Sequence, residues 1–247
     1  MPRSASRSRR HPAPTPLLPP DFLLRHDLVR RLYLDPLTCH TAPHGWAPLT
    51  DAEWEALVPH LAATGCGLHA PGAPGRSLPD PRARLDAIFR AVMLKRPNTE
   101  GGGRAPWRLL PPEFGKAPTI ARCYRRWTRA GLWTRLLNAL AKARPGSPLA
   151  RLDYRLCCAF RRGVRIMGLA AIVLARRLRL HSALPAPSQY LPDPDLSESY
   201  SEVFLRIANL AKANPGWWPP RPWRRLLADM HRAIGGRTRI PGAWEPA

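Results

Sequence analysis

Arginines at positions 122, 125, 126 and 129 repeat at i, i+3, i+4 and i+7, the spacing of one helical face. At about 100° per residue they cover less than a third of the helix circumference. A guanidinium fork matches the oxygens of a phosphate and can pair with two acceptors on guanine, so such a row suits a polyanion. The opposite face carries Ile120, Cys123, Tyr124 and Trp127 at the same spacing. Together the two faces predict an amphipathic helix over Thr119–Ala130, capped by Gly131. The plain alternative is a solvated basic face on an ordinary core helix.

Other residue types offer less. Cys39, His40, His44, Cys66 and His69 could surround zinc, and Cys66-x-x-His69 has suitable local spacing. They fall in loops, however, and the Cys39 to His44 spacing is not a recognised ligand pattern, so no metal ligand and no cofactor is assigned. Cys157-Cys158 reads as buried helix. Trp54, Trp107, Trp127 and Trp133 could stack on unpaired bases, but their helical spacing favours core. Trp217, Trp218 and Trp223 sit in a Pro-rich stretch with arginines, and core is again the expectation. No nucleophile–base pair, phosphate-binding loop or dinucleotide fingerprint occurs, so neither a catalytic residue nor a small-molecule substrate is expected.

The formal charge of +22 and the pI of 11.4 add weight to the arginine row. Self-repulsion opposes compaction, and a polyanion relieves it: DNA, RNA or an anionic membrane. The 5 cysteines are odd in number and lack disulfide-like spacing. Pro12, Pro14 and Pro16, rather than an apolar run, follow Arg9-Arg10, which argues against a secretory signal. The longest apolar run, near Gly163–Ala175, contains Arg165 and falls short of the roughly 20 residues of a spanning helix. The expectation is a cytoplasmic protein with free thiols and no membrane partner.

The elements that must carry the row are helical. The chain has 31 prolines and no sustained alternation of β-branched residues, which predicts an all-α fold. Residues 1–20 are Pro-, Ser- and Arg-rich, a disordered basic arm. Residues 21–45 hold a short helix from Phe22 to Leu34, stopped by Pro36, and a linker. Thr50 and Glu53 form a capping box with Leu49 and Trp54 as hydrophobic staple, and Trp54, Leu57, Val58 and Leu61 give the stripe. Asp80-Pro81 opens a second helix with Leu85, Ile88, Phe89 and Val92. A Gly-rich insertion and a short turn at Trp107–Leu110 lead to the arginine helix. Leu132, Trp133, Leu136, Leu137 and Leu140 form the next, ended by Pro145-Gly146. A basic helical segment over 147–184 holds helices at Leu152–Phe160 and Ile166–Leu180. A Pro-rich linker follows at 185–197, then a C-terminal helical segment at 198–247. Its stripes are Tyr200, Val203, Phe204, Ile207 and Leu210, then Trp223, Leu226, Leu227, Met230 and Ile234.

Four blocks in order then mark a resemblance. L-T-D-x-E-W-x-x-L-x-P-x-L runs from Leu49 to Leu61. Gly75-Arg76, Asp80, Arg82 and Leu85-Asp86-Ala87-Ile88 follow. Trp107-Arg108-x-Leu110-Pro111-x-x-Phe114-Gly115 comes next, then Thr119, Ile120, Arg125-Arg126-Trp127, Gly131, Trp133, Arg135 and Leu136. This segment resembles the N-terminal domain of DDE transposases encoded by bacterial insertion elements. Lys95–Pro106 is longer and richer in glycine than the family's turn, and Leu109 stands where the family usually has Asp.

The resemblance implies a helix-turn-helix-type bundle over 46–146, with a C-terminal helical extension. Its recognition helix at 119–130 would lie in the major groove, with the Trp107–Leu110 turn behind it. Lys116, Thr119, Arg122, Arg125, Arg126 and Arg129 are the expected DNA contacts, most of them to phosphate. The family's catalytic unit is a ribonuclease-H-like α/β domain with three metal-binding carboxylates. After Pro145 the acids Asp153, Asp193, Asp195, Glu198, Glu202 and Asp229 lie on no predicted strand, so transposase activity is not carried over and no enzyme is expected. The reading is duplex DNA binding by a truncated or rearranged insertion-element transposase-like protein, with double-stranded DNA as partner and a homodimer compatible with it. The rivals are an RNA-binding or ribosome-associated basic protein, and a peripheral membrane-surface protein attached through Arg161–Leu180.

Overall fold

The computed structural model describes residues 45–68, 78–100, 103–186 and 190–235. The expected basic arm at 1–20, the short helix at 21–34, and Cys39, His40, His44 and His69 lie outside the described residues. Within them the fold is all-α. The helices are α1 (Asp51–Thr64), α2 (Pro81–Met93), α3 (Ala117–Arg129), α4 (Leu132–Ala141), the single turn α5 (Pro148–Arg151), α6 (Asp153–Met167), α7 (Leu169–Arg177), α8 (Leu196–Ala213) and α9 (Arg221–Gly235).

The first two helices start as their capping residues dictate. Thr50 N–H donates to Glu53 Oε2 at 2.9 Å and Glu53 N–H to Thr50 Oγ1 at 3.3 Å, the full capping box. Asp80 accepts from Ala83 N–H at 2.8 Å, with Pro81 in the first turn of α2. Charged residues of α2 then tie the two helix starts together. Asp86 Oδ1 accepts from Leu49 N–H at 2.9 Å, and Arg82 pairs with Asp51 at 2.6 Å. Desolvation raises the Asp86 carboxyl above its ordinary range, although the Leu49 N–H and the charges of Arg155 and Arg82 oppose that.

The central element is α6, which packs on α2, α3 and α4. By sequence a break falls between Phe160 and Ile166, across Gly163. The helix instead runs through Gly163 and ends at Gly168, whose φ of 74° turns the chain into α7. Gly163 marks a close approach, not a break. A Cβ there would lie 3.1 Å from Tyr124 Oη, Thr128 Cγ2 and Met167 Cε. One buried core therefore runs from Leu49 to Leu191 and crosses the boundary drawn at residue 146.

Two further expectations change. The Arg161–Leu180 stretch is not one surface helix. It bends at Gly168, the Arg161 guanidinium is buried and donates to the Ser182 carbonyl at 2.7 Å, and Ala171, Ile172 and Ala175 face the core. The apolar surface of the stretch is thereby divided, with Ile166 and Leu169 left exposed. The stretch expected as a linker at 185–197 is packed where it is described, with Ala186, Tyr190 and Leu191 buried. Asp193, 1% exposed, gives its N–H to the Ala233 carbonyl and its carboxylate to Arg176 at 3.4 Å. Proline limits helix formation there without preventing burial. Beyond it α8 and α9 pair around a smaller core of Leu196, Val203, Ile207, Trp223 and Met230. Among the described residues no helix is long and apolar enough to cross a membrane.

The α3–α6 contact can be tested directly. Tyr124 Oη donates to the Ala159 carbonyl at 2.6 Å in the core. Tyr124→Phe removes this second bond to a carbonyl that keeps its place in the α6 ladder, and should lower stability by about 0.5–1.5 kcal/mol in urea unfolding. Gly163→Leu forces α3 and α6 apart and should cost about 1–3 kcal/mol through overpacking.

Candidate nucleic-acid interface

The arginine row is held outward by the aromatic face behind it. Ile120, Cys123, Tyr124, Trp127 and Thr128 of α3 are buried, whereas Arg122, Arg125, Arg126 and Arg129 are all exposed. Lys116 and Thr119, at the start of the helix, are exposed as well. All six expected contact residues are thus exposed, five of them on α3 and Lys116 immediately before it. α3 contains no acidic residue, and among the described residues no carboxylate pairs with any of its arginines.

The helix starts two residues before the expected Thr119, at Ala117 with Pro118 in its first turn. Behind it, Trp107–Leu109 and Pro112–Phe114 are two single 3-10 turns, too short to form a regular first helix. Side chains from elsewhere hold them. Trp107 packs on Tyr124 with ring centres 5.2 Å apart, and the Arg162 guanidinium of α6 lies 4.3 Å from the Trp107 centre. Both terminal nitrogens of Arg162 donate to the Ala105 carbonyl at 3.0 Å, and one also reaches the Ala91 carbonyl in α2. Phe114 meets Trp46 edge-on at 5.7 Å, and Gly115, at φ 92°, turns the chain into α3.

The other end is fixed as firmly. Gly131, at φ 80°, joins α3 directly to α4. Trp133 then stacks on Tyr124 at 5.5 Å and donates its indole N–H to Thr128 Oγ1 at 3.0 Å. Gly67, at φ 81°, lets the loop after α1 lie against Trp127, where a Cβ would come within 3.2 Å of Cζ2. The Gly-rich insertion after α2 closes on itself. Arg96 N–H donates to the Gly103 carbonyl and Ala105 N–H to the Leu94 carbonyl, an isolated bridge that returns the chain to Trp107.

One basic neighbour escaped the sequence reading. Arg84 of α2 and Arg126 of α3 both act electrostatically on the Cys123 thiol, so α2 brings a further positive charge toward α3. Helical periodicity compares residues within one helix and says nothing of residues brought alongside from another. Arg162 was missed for the same reason.

The expected core role holds for Trp127 and Trp133, which are buried, and for Trp54 and Trp107, which are half-buried against the core. Trp223 is buried and Trp217 packs on it at 5.8 Å, but Trp218 is 81% exposed, contrary to expectation. Cys66 is buried, and burial raises its thiol, with the same direction at Cys123, Cys157 and Cys158. The acids beyond α4 mostly face arginines: Asp193 with Arg176, Asp195 with Arg177, Glu202 with Arg206 and Asp229 with Arg232. Among the described residues no three His, Cys, Asp or Glu side chains converge as a metal set would.

Residues 49–137 match a family described as "Putative transposase of IS4/5 family". That segment is transposase-like, and it takes in α1 to α3 and most of α4. No curated protein and no solved structure matches the chain.

Arg162→Ala removes the stack on Trp107 and the bonds to Ala105. It should cost about 1.5–3 kcal/mol in thermal unfolding and alter the near-ultraviolet dichroism of the tryptophans. Raised thiols are poor nucleophiles. At pH 8, Cys66, Cys123, Cys157 and Cys158 should react with Ellman's reagent only after denaturation, as residue-resolved mass spectrometry would record.

Proposed function

We propose that this chain binds duplex DNA, with α3 lying in the major groove. The observation that carries the reading is the row of four exposed guanidinium groups without internal counter-charges, on a helix whose other face is locked by Tyr124, Trp127 and Thr128. The transposase-like character of 49–137 supports the same assignment. An α-helix about 10–12 Å across suits the major groove of B-form DNA, about 12 Å wide. Duplex RNA has a deep, narrow major groove that side chains do not read, and its open minor groove is wide and shallow.

On this reading Arg122, Arg125, Arg126 and Arg129 contact phosphates on either side of the groove, and one or two of them reach guanine edges. Lys116 and Thr119 contact the backbone where the helix begins. Arg84 adds a further charge from α2. The binding unit extends past the matched segment through α6, because Arg162 and the Tyr124 hydrogen bond set the attitude of α3. The role is that of the DNA-recognition part of a transposase-related system. We assign no strand-cutting chemistry, because four of the carboxylates beyond α4 already face arginines at 3.4 Å or less.

The test replaces Arg122, Arg125, Arg126 and Arg129 together with glutamine. Folding should persist, since the side chains are exposed. Duplex affinity should drop at least tenfold, and the slope of log affinity against log salt should flatten by about 3 to 4. Duplex RNA should compete poorly with duplex DNA. A folded variant that keeps full affinity and the original salt slope refutes the assignment.

A further inference from the structure

The C-terminal hairpin carries a second row of the same kind. On α9, Arg221, Arg224 and Arg225 are exposed at i, i+3 and i+4. Arg206 and Arg232 of the same hairpin each face an acid, Glu202 and Asp229. Among the described residues no carboxylate pairs with Arg221, Arg224 or Arg225.

Directly before this row stands Trp218, 81% exposed. Its neighbour Trp217 turns inward onto Trp223, and Pro219 and Pro220 follow. The two prolines stiffen the backbone that carries the ring. An indole left in water offers a large flat face whose burial would be favourable.

We infer that α9 and Trp218 form a single-strand nucleic-acid site, separate from the α3 row. Its arginines take backbone phosphates, and Trp218 stacks on an unpaired base. This combination of a basic track and an aromatic platform binds strands regardless of sequence. A duplex cannot use the ring, because its bases are already stacked on one another. A lipid surface is the rival occupant: Trp223 and Met230 of α9 are buried against α8 and cannot insert, but Phe204 and Leu205 of α8 are exposed, so vesicles are an arm of the test. The site rests on its own residues and stands or falls independently of the groove assignment for α3.

The full chain is titrated with fluorescein-labelled oligothymidylate, oligouridylate and a random duplex, following anisotropy and tryptophan emission. Two hairpin variants are compared with the wild type and with the α3 glutamine variant: Trp218→Ala, and Arg221→Gln with Arg224→Gln and Arg225→Gln. Because all four side chains are exposed, circular dichroism should be unchanged. Trp218→Ala should weaken single-strand binding by about tenfold, remove most of the emission quenching and spare duplex affinity. The triple variant should flatten the single-strand salt slope by about 2. The two oligonucleotides tell DNA from RNA as the source of the strand. Unchanged single-strand affinity in both variants overturns the inference, as does single-strand binding lost only in the α3 glutamine variant. A blue shift of emission with phosphatidylglycerol vesicles that Trp218→Ala abolishes, without single-strand binding, also overturns it in favour of lipid.

Discussion

The Tyr124 hydroxyl reaches from α3 to the Ala159 carbonyl of α6, 2.6 Å away, beside a glycine where no larger residue fits without displacement. That contact brings the two helices close and sets which way α3 faces. Once Tyr124 is pinned inward, helical geometry turns Arg122, Arg125, Arg126 and Arg129 to solvent. Trp107 and Trp133 pack against the same ring, so the turn before α3 and the helix after it are referred to one side chain. Burial of the phenol raises its pKa, so it remains a neutral donor across the working pH range.

A chain of charge +22 must arrange its arginines so that repulsion does not unfold it. Some lie inside or at the core edge with built partners: Arg161 on the Ser182 carbonyl, Arg162 on the Ala105 carbonyl and Trp107, Arg176 on Asp193. Arg90 and Arg155 lie over the ring of Trp46, within 5.7 Å and 5.2 Å of its centre, where the π face takes up part of the charge. These groups support the fold and are not offered to a ligand. The outward rows on α3 and α9 lack such compensation. A bound polyanion would stabilise the folded chain through them.

The motif blocks that link 49–137 to transposases are mostly scaffold. Asp80 caps α2, Arg82 and Asp86 fasten it to the start of α1, Phe114 meets Trp46, and Gly115 and Gly131 make turns that need positive φ. Their roles were legible where they are local, because capping boxes, N-caps and left-handed glycines act within a few residues. The gap expected between Phe160 and Ile166 contains Gly163, and only the distance to Tyr124 and Thr128 reveals the use of that glycine. The Pro-rich stretch before α8 looked like a linker because composition carries no information about burial. Trp218 looked like core because its two tryptophan neighbours are.

What the sequence determined by itself is the all-helical class, the helices up to Ala141 and the two of the C-terminal hairpin, the caps at Thr50 and Asp80, the two faces of α3 and the excess of positive charge. All of these follow from spacing and residue type along a few consecutive turns. Tertiary structure alone decided that α6 joins the matched segment in one core, that Arg162 braces the turn behind α3, and that Trp218 faces water. Each of these depends on residues from separate helices meeting in space, and the one-dimensional period of a helix holds no record of its neighbours.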